Sequence, residues 1–208
     1  MIRDDNKSFQ VLTIGGSDSS GGAGIQGDLK TFSALSCYGM SVITALTAQN
    51  TLGVQDVQGV PSKFISSQIT SIFNDIRVDA VKIGMLLNAS VVEEVAKCLY
   101  EYKDLPIVLD PVMFAKSGDR LIEETAIEVI KNKLLPLATI VTPNIEEAAA
   151  LVGRNLNSPK EIEMAALELC SLGPEAIVIK GGNLKTKTSD DCMISKGNRI
   201  KWLKQKRI

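Results

Sequence analysis

Five short runs rich in β-branched residues, Val11 to Ile14, Ala80 to Ile83, Ile107 to Leu109, Thr139 to Val141 and Ile177 to Ile179, alternate along the chain with longer segments of helical period. Short, mostly apolar runs suit strands buried on both faces, and such strands need helices laid over them. Ile65, Ile69, Ile72, Phe73 and Ile76 mark one helical stripe, and Val91, Val92, Val95, Ala96 and Leu99 mark another. The pattern predicts an α/β fold: a three-layer α/β/α sandwich around a central, mostly parallel sheet. Gln55 to Val60 is expected to add a strand to a small flap, and Asp191 to Trp202 to form a hairpin turning at Lys196, Gly197 and Asn198.

No internal repeat, low-complexity tract or Pro/Gly/Ser-rich linker interrupts this alternation, so residues 1–208 are read as a single domain. The net charge of −1 gives no overall pull toward nucleic acid or an anionic membrane. Lys196, Arg199, Lys201, Lys204, Lys206 and Arg207 make the last stretch basic, which is read as an edge strand guarded by positive charge. The first residues lack the apolar core of a signal peptide and no later run would span a bilayer, so a cytoplasmic protein is expected. Cys37, Cys98, Cys170 and Cys192 form no CxxC pair, which speaks against a zinc site or a disulfide framework. With no histidine in the chain, His-assisted nucleophiles and His-based metal sites are excluded, and any metal would be a hard cation on carboxylates.

The residues that terminate each strand are more informative than the strands themselves. Val11 to Ile14 runs into Gly15 and Gly16, Ala80 to Ile83 into Gly84, Ile107 to Leu109 into Asp110, Thr139 to Val141 into Thr142, and Ile177 to Ile179 into Lys180 and Gly181. Open α/β sheets bind ligands outside the carboxyl ends of their strands. Here that edge would collect glycines, a carboxylate, a hydroxyl and an ammonium, a set suited to a phosphorylated ligand.

The loop GGSDSSGGAG, Gly15 to Gly24, can approach an anion or polar substrate closely through its backbone, yet it has neither the GK[ST] ending of a P-loop nor the GxGxxG spacing. In SVITALTAQNT, Ser41 to Thr51, the amide of Gln49 offers two donors and an acceptor that could pair with a ring nitrogen and an exocyclic amine; a solvated loop amide is the plainer reading. Asn144 and Glu147 in TPNIEEAAALVG read as a capping box with Gly153 closing the helix, and a helix start at a strand end is also where phosphates and their Mg²⁺ are held. In DPVMFAKSGD, Asp110 could bind Mg²⁺ directly or through water and Lys116 could neutralise phosphate charge, against the alternative of a Pro-containing surface loop. Lys180 in IVIKGGN ends a buried strand and needs an anionic partner, for which a phosphate would serve.

Taken in order, GGSDSSGGAGIQGDLKTFSAL, SVITALTAQNT, VKIGML, VLDPVM, AKSGD, LLP, TPN followed by EAAAL, and KGG resemble the hydroxymethylpyrimidine/phosphomethylpyrimidine kinases of thiamine biosynthesis, in the ribokinase-like superfamily. The resemblance runs from about Val11 to Gly182. It implies an enzyme that uses MgATP to phosphorylate the hydroxymethyl group of 4-amino-5-hydroxymethyl-2-methylpyrimidine and then its monophosphate, and a homodimer. By resemblance Gln49 would hydrogen-bond the aminopyrimidine, with Asp28, Gly16 and Met85 lining its pocket. Asp110, Asn144 and Glu147 would serve Mg²⁺ and the nucleotide phosphates, with Lys180 on the phosphates in transfer. The sequence departs from the family pattern at Asn183, where KGGN replaces KGGH, and in having no GTGC-like segment before Ile208. That leads to the expectation of a domain cut short before its anion hole and without its C-terminal helices, with impaired activity for the chain as it stands. The competing expectations are a pyridoxal kinase and a non-catalytic pyrimidine- or nucleotide-binding remnant.

Overall fold

The computed structural model describes residues 8–102, 104–115, 118, 121–182, 188–197 and 199–206. The chain opens with β1 (Gln10–Asp18), α1 (Gly24–Ala34), β2 (Tyr38–Asn50) and β3 (Gly53–Gly59). It continues through α2 (Ser62–Phe73), β4 (Ala80–Ile83), α3 (Ala89–Tyr100), β5 (Ile107–Leu109), α4 (Glu124–Val129) and β6 (Ile140–Val141). It then forms α5 (Ile145–Val152), α6 (Pro159–Ser171), β7 (Ala176–Ile179), β8 (Asp191–Ser195) and β9 (Lys201–Leu203). Between α4 and β6 a π-helical turn, Ile130–Leu134, tightens into a 3₁₀ turn, Leu135–Leu137.

The strands form one nine-stranded sheet in the order β3-β2-β1-β4-β5-β6-β7-β8-β9. The six strands from β2 to β7 pair in parallel, and antiparallel partners close both edges: β3 on β2, and β8 and β9 beyond β7. The predicted flap strand and C-terminal hairpin are therefore present, although Asn198 of the hairpin turn lies outside the described residues.

Side-chain parity explains the layering. Leu12, Ile14, Val81, Ile83, Ile107, Leu109, Val141, Ile177 and Ile179 are almost wholly buried in one core with the apolar faces of α2, α3, α5 and α6. Removing each of these large side chains from water contributes roughly 1.5–3 kcal/mol. The intervening residue Thr13 faces the other way, toward Asp28 of α1, so α1 covers β1 and β2 from the opposite side. Right-handed crossovers require this, because the chain steps from β1 to β2 in one direction and later returns past β1 to β4 in the other. The reversal leaves a crevice between the carboxyl ends of β1 and β4.

Two sequence expectations change here. Gly15 and Gly16 do not begin a loop: β1 continues through them to Asp18, paired with β2 as far as Asp18 opposite Thr47, with a register shift between Gly15 and Ser17. Glycine at 16 leaves room for Met85 rather than making a turn, since a Cβ there would lie 2.7 Å from Met85 Cε. The second change concerns the α2 stripe, where the helix stops at Phe73 and Ile76 sits in the turn beyond it, its N–H bonded to Ile72 O.

Candidate active site

The carboxyl ends of the parallel strands are tied to one another laterally. Gly84 N donates to Ile14 O at 2.8 Å, Asp110 N to Ile83 O at 2.9 Å, Thr142 N to Leu109 O at 2.9 Å, and Lys180 N to Pro143 O at 2.8 Å. Each group that the sequence placed after a strand is thus set on its neighbour's backbone, and the five ends make one rim.

On the β5 to β7 side the rim carries charge. Lys180 Nζ donates to Asp110 Oδ1 at 2.8 Å, and Thr142 Oγ1 reaches the same oxygen at 3.3 Å. Asn144 caps α5 by accepting from Glu147 N at 2.8 Å, while Glu147 Oε2 accepts from Asn144 N at 2.8 Å, so the capping box is complete. Gly153 ends that helix in the left-handed region, φ +72°. Glu147 is 2% exposed, and its other oxygen accepts from Met113 N at 3.3 Å. Burial pushes the Glu147 carboxyl above its ordinary range; the Asn144 N–H and the Lys180 charge oppose that, and Asp110 adds to it. Asp110, Asn144, Glu147 and Lys180, predicted from three separate segments, therefore share one neighbourhood.

On the β1, β2 and β4 side the crevice wall is partly apolar. Gly16 and Met85 face one another across the crevice, and Met85 is fixed by Thr44 Oγ1, which donates to its carbonyl at 2.6 Å. Gln49 lies near the end of β2, half-buried, with Ser19 Oγ 2.9 Å from both its N and its O. Asp28 stands lower, on α1, where its Oδ2 accepts from Thr13 Oγ1 at 2.6 Å and from Lys82 Nζ at 2.9 Å. Gly84 connects this pair to the rim, for a Cβ at Gly84 would lie 3.0 Å from Lys82 Nζ. Lys116 and Asn183 lie outside the described residues.

Sequence reasoning overlooked two residues. Asp18 is 3% exposed and gathers the loop that follows β1: its carboxylate accepts from Ser20 N and Oγ at 2.8 Å, Gly22 N at 3.0 Å and Ala23 N at 2.7 Å. Burial alone would raise its pKa, but the Ser20 hydroxyl and the three backbone N–H groups together hold it below the ordinary carboxylate value. An aspartate followed by small residues that leave N–H groups free is the readable signal. The other is Lys82, whose polar side chain within an otherwise apolar strand implied a buried anionic partner.

Among the described residues no helix is long and apolar enough to cross a membrane, and no three acidic or cysteine side chains gather as a metal cluster. A divalent ion here would rest on one or two carboxylates with phosphates and water completing its shell, the usual habit of Mg²⁺.

Comparison with known proteins gives the family. The family model for phosphomethylpyrimidine kinase matches residues 18–208. The chain is 48% identical over 189 residues to the hydroxymethylpyrimidine/phosphomethylpyrimidine kinase of Salmonella typhimurium, covering 90% of this chain and 71% of that protein. It is 49% identical over 183 residues to a thiamine biosynthesis bifunctional protein of Geobacter sulfurreducens, covering 88% of this chain but 37% of that one. Among solved structures, phosphomethylpyrimidine kinase from Clostridium difficile superimposes with a TM-score of 0.87 at 45% identity, over 95% of this chain and 85% of that one. The pyridoxal kinase of Staphylococcus aureus in complex with AMP-PCP and pyridoxal gives a TM-score of 0.83 at 34% identity, over 96% and 72%. With a matching family model over most of its length and relatives close to half identical, the chain belongs to the phosphomethylpyrimidine kinase family, ribokinase-like phosphotransferases that take ATP as co-substrate.

Proposed function

We propose that this rim transfers a phosphoryl group from MgATP to the hydroxymethyl group of 4-amino-5-hydroxymethyl-2-methylpyrimidine, and to its monophosphate, in thiamine biosynthesis. The observation that carries the reading is the single rim on which a charged half, Asp110, Asn144, Glu147 and Lys180, adjoins a crevice formed by Gly16 and Met85, with Gln49 near the end of the adjoining strand β2. In phosphoryl transfer the protein contributes mainly position and charge neutralisation, and these two halves divide that work.

Gln49 would take the ring nitrogen and exocyclic amine of the pyrimidine, and Gly16 and Met85 its apolar ring face, with Asp28 completing the pocket from α1. The acceptor oxygen of the alcohol then forms its bond to the γ-phosphorus as the bond to the leaving ADP breaks, and the hydroxyl proton passes to water. Lys180, already paired with a carboxylate at 2.8 Å, would turn its charge to the phosphate oxygens in transfer. Asp110 fits Mg²⁺: both of its contacts among the described residues fall on Oδ1, which leaves Oδ2 to the ion or to one of its waters. Glu147 spends both oxygens on backbone N–H groups, so it would act on the metal through water and through its charge. Bound Mg²⁺ would supply neutralisation of the charge spread over the phosphates.

Pyridoxal is the competing acceptor, since a solved neighbour is a pyridoxal kinase in complex with that compound. We read the assembly as a homodimer working in the cytoplasm, a state that light scattering on the purified protein checks. Titration calorimetry tests the reading as a whole. Gln49→Ala should weaken binding of the aminopyrimidine far more than binding of MgATP, and equal losses for the two ligands would overturn it. Tighter binding of pyridoxal than of the aminopyrimidine would reassign the acceptor.

A further inference from the structure

The environment of Gln49 sets which way its amide must point. Thr47 Oγ1 lies 2.9 Å from Ser17 O and 3.2 Å from Gln49 Oε1. Both of those oxygens are acceptors, while the Thr47 hydroxyl has one proton. A carbonyl oxygen can only accept, whereas a side-chain amide can exchange its oxygen and nitrogen by a half-turn about its last bond. Hydrogen-bond accounting is therefore satisfied at both contacts in one arrangement only: Thr47 donates to Ser17 O and accepts from Gln49 Nε2.

Resting on the assignment of Gln49 to the pyrimidine, we propose that Thr47 and Ser19 are positioning residues that lock the Gln49 amide with Oε1 as its outward acceptor and thereby select a 4-aminopyrimidine over a 4-oxo one. In that orientation one Nε2 proton goes to Thr47, the second is left for an unprotonated ring nitrogen, and Oε1 is left for an exocyclic amine. Every donor and acceptor of the amide is used. The 4-oxopyrimidine presents the opposite order, a ring N–H beside a carbonyl, and meets a locked amide with like facing like.

The backbone at this point is held just as firmly. The ladder between β1 and β2 ends at Asp18 opposite Thr47, and Gln49 lies two residues beyond it. Ser19 extends the ladder with its side chain, its hydroxyl accepting from Gln49 N and donating to Gln49 O, both at 2.9 Å. One proton and one lone pair suffice for those two bonds, so no conflict arises there. Ser19 in turn leads into the loop gathered by Asp18, whose N–H is held by Gln26 Oε1 at 2.8 Å, while Gln26 Nε2 donates to Ser17 Oγ at 2.7 Å. Ser17, Thr47, Ser19 and Gln26 form a polar brace around a single amide.

The test compares dissociation constants for 4-amino-5-hydroxymethyl-2-methylpyrimidine and its 4-oxo counterpart by titration calorimetry, both ligands on the same preparation so that any unfolded fraction cancels in the ratio. The wild-type protein should favour the amino form by at least about tenfold, the value of roughly one unmade hydrogen bond. Thr47→Val should bring the two constants within a few-fold of one another while MgATP binding stays as in the wild type, and Thr47→Ser should restore the preference. Ser19→Ala should weaken both pyrimidines together by loosening the backbone. A Thr47→Val or Thr47→Ala protein that keeps the full wild-type preference overturns the proposal. Gln49→Ala separates the two assignments: if it leaves affinity for the amino form unchanged, the role of Gln49 is wrong, whereas if it abolishes the preference that Thr47→Val retains, only the role of Thr47 is wrong.

Discussion

Lys180, at the end of β7, reaches past β6 to place its ammonium 2.8 Å from Asp110 Oδ1 at the end of β5. Both side chains are partly exposed, 42% and 27%, so water screens the pair and it adds little to folding. Its weight falls on function, since an incoming phosphate can take over the ammonium and a metal ion the carboxylate. Lys180→Ala should therefore lower phosphoryl transfer by about 10² or more while leaving aminopyrimidine affinity within a few-fold. Steady-state kinetics alongside calorimetry check this, and unchanged turnover would remove Lys180 from the mechanism.

Glu147 has a structural part that can be measured on its own. Its carboxylate holds the N–H groups of Asn144 and Met113, and truncation to Ala would leave both unpaired, that of Met113 in a buried place and that of Asn144 in a partly buried one. Glu147→Ala should cost about 2–4 kcal/mol by denaturant unfolding, combining a lost cap with buried donors left unpaired. Glu147→Gln, which keeps an acceptor, should cost less. Equal losses in the two variants would show that the cap is not what matters there.

Asp18 predicts a pH dependence with a definite sign. Its folded pKa lies below the ordinary value, so the unfolded chain binds the proton more readily. The resulting stabilisation is full above the unfolded pKa and disappears as pH falls through the lower folded value. Asp18→Asn turns an amide donor toward backbone donors and should lose about 1–3 kcal/mol near neutrality. Thermal melts should show the gap to wild type closing as the solution is acidified through that range. A constant gap would contradict the assignment.

Two glycines, one within β1 and one opening α1, should respond differently to alanine. Gly24 has φ +55° and a Cβ there would run into Gly16 O, which is backbone, so Gly24→Ala should destabilise the fold by about 1–2 kcal/mol or more. At Gly16 the obstructing atom is the flexible end of Met85, 2.7 Å away. Gly16→Ala should keep most of its stability and lose pyrimidine affinity, because Met85 is pushed into the crevice. Melting temperature and calorimetry separate the outcomes.

The strand cores were readable because buried parallel strands leave apolar runs, and four of the five runs extend or match observed strands, while the Thr139 run shortens to Ile140–Val141. The extent of β1 was hidden, since Gly15 and Gly16 look like a turn until β2 and Met85 are seen beside them. The segment from Glu124 to Leu137 gave no stripe of single period because it passes from α through π to 3₁₀ geometry. By contrast the start of α5 was legible, and the capping box read from Asn144 and Glu147 is present with Gly153 closing the helix. The charged half of the site was legible because Asp110 and Lys180 lie just beyond strands and Asn144 and Glu147 form a capping box at the helix start that follows another. The brace around Gln49 was not, because Ser17, Ser19 and Thr47 are ordinary polar residues until two strands and a loop set them against one another.

The lateral ties between strand ends turn the floor beneath the reactants into a rigid plate, for Gly84, Asp110, Thr142 and Lys180 each hang by their amides from a neighbouring segment. Shifting one of these anchors would mean breaking a backbone bond to the next, so gating motions belong to segments mounted above the plate rather than to the plate itself. Deuterium should enter those four amides late, at rates set by opening of the whole sheet, whatever the loops overhead are doing.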